Sequence, residues 1–187
     1  MLHYKDIVLR PIREADLADY HIWETTETEW TNWDGPWEAP FAPGEFVAMM
    51  QARIAKEAAS PPDVYTRLEI QANEGHIGWV SRYDMDDDPA KIALGIDIPP
   101  MNARGKGYGE QAFVLWTGYL FARLGAAGLY TQTWSGNLPM LRLAQKVGFT
   151  ECRRIKDARE VRGAKYDALS FFVTRADFVM KYGEIVV

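Results

Sequence analysis

The chain has 187 residues, 48% hydrophobic and 25% charged, which is enough to bury a normal core, and its net charge of −5 argues against a nucleic-acid partner. Its one cysteine, Cys152, excludes an intramolecular disulfide. Because it also has no apolar run of bilayer length and no signal-peptide core after Met1, we expect a reduced, cytoplasmic protein that does not associate with membranes.

The first half of the chain predicts one strand, two helices and a hairpin. Apolar residues at helical spacing indicate the helices, and the Asn73–Gly75 turn separates the two hairpin strands. The residues of 30–43 are rich in Gly, Pro and Trp, which is typical of an ordered, irregular loop. The predicted elements are a strand over 7–12, helices over 14–24 and 44–59, and strands over 64–71 and 76–83.

The second half predicts alternating strands and helices that end in a hairpin. These elements are a strand over 91–98, a helix over 110–124, a strand over 129–134, a helix over 138–147, and strands over 150–157 and 166–174. The second to fourth strands of the chain follow one another directly, which excludes a purely parallel, doubly wound sheet. We predict an α/β (α+β) fold in one domain over 1–187, with a mixed, mostly antiparallel sheet of six to seven strands and helices on both faces.

Three glycines alternate in 104–109, between a predicted strand and a long helix. Glycine lets backbone amides approach a ligand closely, and a helix N-terminus adds unpaired N–H groups that favour an anion. A P-loop would require Ser or Thr at Gly107, and a dinucleotide fingerprint would require Gly at Glu110. The segment therefore predicts either another kind of phosphate site or a turn that merely requires glycines.

The flanking sequence resembles the GNAT superfamily of N-acetyltransferases. Arg104, Gly107 and Gly109 match the fixed positions of its Arg/Gln-x-x-Gly-x-Gly/Ala segment, and residues 137–149 resemble its second cofactor segment, an Asn-capped helix that ends in Lys-x-Gly-Phe. The start, 9–16, and the closing segment, 163–168, resemble the RimJ/RimL branch, which includes ribosomal-protein and spermidine acetyltransferases.

The resemblance implies the GNAT fold and an acyl-CoA co-substrate in a V-shaped opening between strands 91–98 and 129–134. Amides of 104–109 would bind the pyrophosphate, and the backbone of Asp97 and Ile98 would pair with the pantetheine arm. Asn137 would bond the pantetheine or cap its helix. The residues assigned to the cofactor are Asp97, Ile98, Arg104, Gly105, Lys106, Gly107, Tyr108, Gly109, Asn137, Arg142 and Lys146.

The implied reaction is direct attack of a neutral amine on the thioester in a ternary complex, which requires a base. Glu160 stands six residues before Tyr166, as a proposed base does in the branch, although it also suits a solvated hairpin. Glu69 and Asp97 are further candidate carboxylates near the expected cleft, and a structural or exposed role is the alternative for each. Many relatives carry a proton-donating Tyr where this chain has Ala144, so the general acid is open.

The sequence predicts no metal site. The three histidines lack metal-ligand spacing, and the acidic run over 84–88 lacks the Gly and Glu positions of a calcium loop.

Trp30, Trp33 and Trp37 are candidate walls of an amine-binding site, because aromatic faces and nearby carboxylates attract ammonium groups; core packing is the alternative. We predict acetyl transfer to a primary amine, namely a protein N-terminus, a polyamine or a small amine. The alternatives are a catalytically silent acyl-CoA-binding module and a drug-modifying acetyltransferase. The apolar strand over 169–173 further suggests a homodimer.

Overall fold

The computed structural model describes residues 1–73 and 75–185, so Glu74 of the predicted hairpin turn lies outside the described residues. The strands are β1 (Leu2–Tyr4), β2 (Ile7–Arg10), β3 (Arg67–Ala72), β4 (Gly75–Asp84), β5 (Ile92–Asp97), β6 (Gly128–Trp134), β7 (Thr150–Val161) and β8 (Ala164–Thr174). The α-helices are α1 (Leu17–Thr25), α2 (Glu45–Ala59), α3 (Tyr108–Leu124), α4 (Leu138–Val147) and α5 (Arg175–Tyr182).

The strands form one sheet in the order β1-β2-β3-β4-β5-β6-β8-β7. Neighbouring strands are antiparallel except β5 and β6, which are parallel. The predicted mixed, mostly antiparallel architecture is confirmed. The predicted strand number is corrected to eight, because the prediction omitted the three-residue strand β1. Helix α5 was also not predicted.

Each face of the sheet packs against its own helices. Val80 belongs to the main core with α3, whereas its neighbour Trp79 belongs to a second core with α1 and α2, because successive strand residues point to opposite faces. The second core is mostly aromatic and consists of Ile12, Tyr20, Trp23, Trp30, Phe46, Met50 and Trp79. Helices therefore cover both faces, as predicted. Among residues 1–73 and 75–185, no helix has the length and apolarity required to cross a membrane.

Strands β5 and β6 separate soon after they meet. Their pairing is limited to Ala93 with Tyr130 and Leu94 with Thr131, and the Thr131 hydroxyl donates to the Leu94 carbonyl at 2.8 Å. Beyond this point β5 continues to Asp97 and pairs only with β4. The sheet therefore opens at the carboxyl ends of these two strands, where the predicted V-shaped cleft lies.

Candidate active site

The glycine loop follows β5 and leads into α3. Gly107 is the N-cap of α3 with φ 84° and ψ 0°, and Gly105 has φ 74°. An ideal Cβ at either glycine would meet no atom within 4 Å, so open space lies beside both. The first amides of a helix have no partner inside that helix. The loop thus combines the N–H groups of a helix start with room for phosphate oxygens beside Gly105 and Gly107.

Arg104 holds this loop together with its own guanidinium. Its Nε donates to the Ile98 carbonyl and its Nη2 to the Pro99 carbonyl, both at 2.8 Å, and its Nη1 forms an ion pair with Glu29. The hydrogen bond from Arg104 is the main reason that the pKa of Glu29 is lowered. Arg104 therefore ties the end of β5 to the residues after α1.

Asn137 caps α4, one of its two predicted roles. Its Oδ1 accepts from the Met140 amide at 3.0 Å, and its Nδ2 donates to the Trp33 carbonyl at 3.1 Å. The Trp134 indole donates to the same carbonyl at 3.1 Å. The cap of α4 and the end of β6 therefore share one anchor, the backbone of Trp33.

The remaining cofactor candidates differ in accessibility. Lys106, Arg142 and Lys146 are exposed, and Lys146 pairs with Glu110 at 2.6 Å. Tyr108 is 8% exposed and belongs to the main core. The cationic side chains are therefore accessible to a ligand at the opening between β5 and β6, whereas Tyr108 mainly supports the glycine loop.

Residues 28–38, which we call the roof segment, cross the opening between β5 and β6. Glu29 is bound to Arg104 near the end of β5, and Trp33 is anchored at the end of β6. Asn32 accepts from Arg162 of the β7–β8 hairpin. Beside the segment lies a groove of 630 Å³, lined by Thr26, Glu27, Thr28, Glu29, Thr31, Asn32, Pro99, Met101 and Asn102.

The three tryptophans of the roof segment have different surroundings. Trp30 is 5% exposed, packs in the second core and donates its indole N–H to the Trp23 carbonyl at 2.9 Å. Trp33 is half-buried, and Trp37 is 36% exposed with the Arg159 guanidinium 4.7 Å from its ring centre. Trp30 thus lies in the core, while Trp33 and Trp37 are more accessible to solvent.

The end of β5 carries a carboxyl group with a perturbed pKa. Asp97 is half-buried and pairs across the strands with Trp79. Desolvation raises the pKa of Asp97 well above its ordinary value, and the charge of Asp34 raises it further, against smaller lowering effects of Arg67, Trp79 and Arg104. Asp97 therefore holds a proton more readily than an ordinary aspartate.

Asp34 brings a second carboxyl group from the roof segment. It is exposed to solvent, yet surrounding protein desolvates it and raises its pKa, as does the charge of Glu38, while Arg67 lowers it. Burial and the charge of Asp34 raise the pKa of Tyr83 to about 12. The charge of Asp34 thus acts on Asp97 across 63 positions of sequence.

Glu69 lies in a fully partnered network beneath this site. It is 1% exposed and accepts from the Tyr20 hydroxyl at 2.6 Å, faces His76 Nε2 at 2.9 Å, and faces Arg67 Nε at 3.4 Å. His76 Nδ1 lies 3.0 Å from Asp19. Burial, and then the charge of Glu69, raise the pKa of Tyr20 far above normal, so Tyr20 remains a hydrogen-bond donor. The network joins α1 to β3 and β4.

The same network brings together three groups of the kind that bind metals. Ligand atoms of Asp16, Asp19 and His76 lie within 4.8 Å of one another. His76 lies 57 positions from Asp19 in the sequence, and this separation concealed the cluster. Both carboxylate oxygens of Asp16 already accept from the Arg10 guanidinium at 2.7 Å, so a cation of the protein itself balances the cluster.

Glu160 lies away from this network. It is exposed in β7 and pairs across the hairpin with Lys165. Its neighbours Arg159 and Val161 point to the other side of the strand. The Arg159 guanidinium lies over the Trp37 ring, and Val161 is buried. Within the described part of the chain, the side chain of Glu160 makes no hydrogen bond or ion pair. Sequence reasoning also missed Arg67, for which no motif gives a signal.

Comparison with known proteins agrees with this geometry. The model of the acetyltransferase (GNAT) domain family matches residues 6–150. An uncharacterized prophage-derived N-acetyltransferase of Bacillus subtilis, YokL, is 24% identical over 122 residues, which cover 65% of this chain and 68% of that protein.

Solved structures share the fold at low sequence identity. Spermidine N-acetyltransferase from Vibrio cholerae, in complex with CoA and spermine, superposes with a TM-score of 0.72 at 16% identity, over 94% of this chain and 99% of that one. The ribosomal-protein acetyltransferase RimL, in complex with coenzyme A, gives 0.71 at 15% identity, over 91% and 95%. The chain therefore belongs to the GNAT family and is an N-acetyltransferase that uses acetyl-CoA as its co-substrate.

Proposed function

We propose that residues 1–187 form one cytoplasmic acyltransferase domain that moves an acetyl group from acetyl-CoA to a primary amine bound beneath the roof segment. The observation that carries the proposal is the separation of β5 from β6 directly before the glycine loop. Among residues 1–73 and 75–185, that arrangement leaves the main chain of Asp97 and Ile98 without a strand partner on the β6 side.

The donor side suits an acyl-CoA. Amides of 104–109 would hold the pyrophosphate, and the free strand edge at Asp97 and Ile98 would hold the pantetheine arm, while the co-substrate supplies the acetyl thioester. The exposed cations Lys106, Arg142 and Lys146 would meet the adenosine phosphates by charge. Arg104 and Asn137 would act indirectly, through the hydrogen bonds that shape the loop and the cap.

The acceptor side suits a cation. Asp97 lies at the end of β5 and Asp34 in the roof segment, both with a raised pKa, and Trp33 and Trp37 belong to the same segment. An ammonium group is favoured both by carboxylates and by aromatic faces. A polyamine, a protein N-terminus and a small amine all present such a group, and the relatives named above include a spermidine acetyltransferase and a ribosomal-protein acetyltransferase.

A panel of amines and acyl-CoAs tests this function. We expect release of CoA thiol from acetyl-CoA with at least one polyamine, N-terminal peptide or small amine, and succinyl-CoA tests whether the donor is acetyl-specific. Aminoglycosides in the same panel test the drug-modifying alternative. Binding of acetyl-CoA by calorimetry without turnover of any amine would instead support a silent binding module, an alternative favoured by the buried Ala144 in place of the usual Tyr.

We also propose that the protein forms a homodimer. β7 is an edge strand, and nearly all of its 12 residues are exposed, so it offers unpaired backbone groups to a second copy. Light scattering after size exclusion would show twice the 21.3 kDa monomer mass; a monomer at all concentrations would contradict the proposal.

A further inference from the structure

We infer that the hydroxyl group of Thr133, in β6, hydrogen-bonds the pantetheine arm of the acyl-CoA. The inference rests on the donor side of the proposed function and adds a side chain of β6 to it. Thr133 lies beyond the last residue of β6 that pairs with β5, so it belongs to the wall of the opening that faces the free edge of β5. Neither of the two segments that resemble cofactor motifs, 104–109 and 137–149, includes this residue.

The register of the two strands explains why this hydroxyl has no partner in the protein. Thr131 pairs with Leu94, and its hydroxyl donates to the Leu94 carbonyl at 2.8 Å. Two residues further, Thr133 points to the same face and would stand level with Ile96, but the pairing of β5 with β6 ends at Thr131. Its Oγ1 is buried, and no residue that the structure describes offers it a hydrogen bond. The separation of the strands thus removes the kind of partner that Thr131 has.

The face of the sheet toward which Thr133 points is the face of the proposed donor site. Its cross-strand neighbour on β8, Leu169, belongs to the main core, as do Phe113 of α3 and Ala144 of α4. The next residue, Trp134, points to the opposite face and donates its indole N–H to the roof segment at 3.1 Å. The end of β6 therefore presents Thr133 to the side of α3 and α4, and Trp134 to the side of the roof segment.

A pantetheine arm has the groups that this hydroxyl requires. It carries amide groups and, when acylated, a thioester, so it offers carbonyl oxygens along its length. A threonine hydroxyl can donate to such an oxygen and can also accept from an amide N–H. A buried polar atom without a partner costs free energy, and a hydrogen bond to the ligand would remove that cost. In the opening, the arm would take the place that the Leu94 carbonyl has beside Thr131.

Calorimetry with CoA and with phosphoadenosine diphosphate tests this contact, because the second compound is the nucleotide fragment of CoA without its pantetheine arm. We expect Thr133→Val to weaken CoA binding by about 3- to 10-fold, the effect of one lost hydrogen bond. Its affinity for the nucleotide fragment should stay at the wild-type value. Thr133→Ser keeps the hydroxyl and should bind CoA as the wild-type protein does. Thr150→Val is the matched control, because Thr150 is exposed in β7, and it should change neither affinity.

Thermal melting of the unliganded protein gives a second readout, because two substitutions of the same kind should act differently. Thr133→Val should leave the melting temperature unchanged or raise it, since it removes a buried hydroxyl that has no partner on the described residues. Thr131→Val should lower the melting temperature, since it removes the hydrogen bond to the Leu94 carbonyl. Thr133→Ala repeats the affinity measurement if the valine variant folds poorly.

Equal CoA affinity in the wild-type protein and in Thr133→Val would overturn the inference. So would an equal loss of affinity for CoA and for phosphoadenosine diphosphate, because the substitution would then disturb the whole opening rather than one contact with the arm. Failure of the wild-type protein to bind either compound would overturn the proposed donor site instead.

Discussion

Gly78 lies in β4 beside the main chain of Asp97, at the point where the sheet opens. An ideal Cβ at Gly78 would lie 2.0 Å from the Asp97 carbonyl oxygen, a distance that no side chain tolerates. Its φ of +147° is also uncommon for residues with a Cβ. The register between β3 and β4 shifts here, since Ile70 pairs with Gly78 and Gln71 with His76. The bulge and the glycine together allow β5 to approach β4 closely before it leaves β6.

Gly78→Ala should push the end of β5 away from β4 and disturb the backbone at Asp97 and Ile98. We expect a loss of about 1–3 kcal/mol of stability and a marked loss of CoA affinity. Gly75→Ala is the control, because Gly75 also has positive φ, +106°, but no atom within 4 Å of its ideal Cβ. Thermal melting and calorimetry measure both effects; equal CoA affinity in the two variants would contradict this account.

Asp16 contributes stability that depends on pH. Its side chain is 5% exposed, and the Arg10 guanidinium binds both carboxylate oxygens at 2.7 Å. Burial alone would raise the pKa of Asp16, but the hydrogen bonds from Arg10 and the charge of His76 outweigh it and lower the pKa. A lowered pKa stabilises the fold at neutral pH, and this stability is lost as pH falls through the native pKa.

Asp16→Asn should cost about 3–5 kcal/mol at neutral pH, because it leaves the buried Arg10 without its counter-ion. The cost should shrink as pH falls, since wild-type Asp16 then becomes protonated too. Denaturant unfolding at several pH values measures the difference, with exposed Asp63→Asn as the control. A cost that stays constant down to acid pH would show that the ion pair is not its source.

Two helices of this protein begin in the same way but in different surroundings. Gly44 caps α2 with φ 80° and ψ −5°, and Gly107 caps α3 with φ 84° and ψ 0°. Neither would bring a Cβ within 4 Å of another atom. Only Gly107 follows the open end of β5. The two helices therefore start with the same local structure, and only the position of Gly107 beside the open end of β5 supports the proposed phosphate site.

Gly107→Trp should abolish acetyl-CoA binding, because the indole would fill the space proposed for the pyrophosphate. Gly44→Trp should lower the melting temperature by a similar amount, since both residues have positive φ, and should retain acetyl-CoA binding. Calorimetry on both variants gives the comparison. An unchanged affinity in Gly107→Trp would remove the loop from the proposed site.

The predicted elements were most accurate where one face is buried. Strand β5 and helix α4 follow their apolar periodicity, and Asn137 and Gly148 cap α4 as their residue types indicate. β1 was not predicted, because three residues are too few to show the two-residue alternation of a strand. β7 is four residues longer than predicted, to Val161, because its exposed side chains show no alternation.

At the scale of the whole molecule, the roof segment joins the sides that we propose for the donor and the acceptor. Its contacts with Arg104, Trp134, Asn137 and Arg162 span 75 to 130 positions of sequence. Ligands that order either side should therefore affect the other. Such contacts have no sequence signal, because each depends on a long side chain that meets backbone or carboxyl groups of a distant element.

The amino-acid sequence by itself predicts the donor segments of this protein. Its glycines, helix caps and strand periodicity act within about ten residues, so the local structure of 104–109 and 137–149 can be predicted from the sequence. Only the tertiary structure decided the surroundings of the roof segment. Desolvation raises the pKa of Asp34 and of Asp97, the charge of Glu38 acts on Asp34, and the charge of Asp34 acts on Asp97; these effects exist only after the roof segment has folded across the sheet.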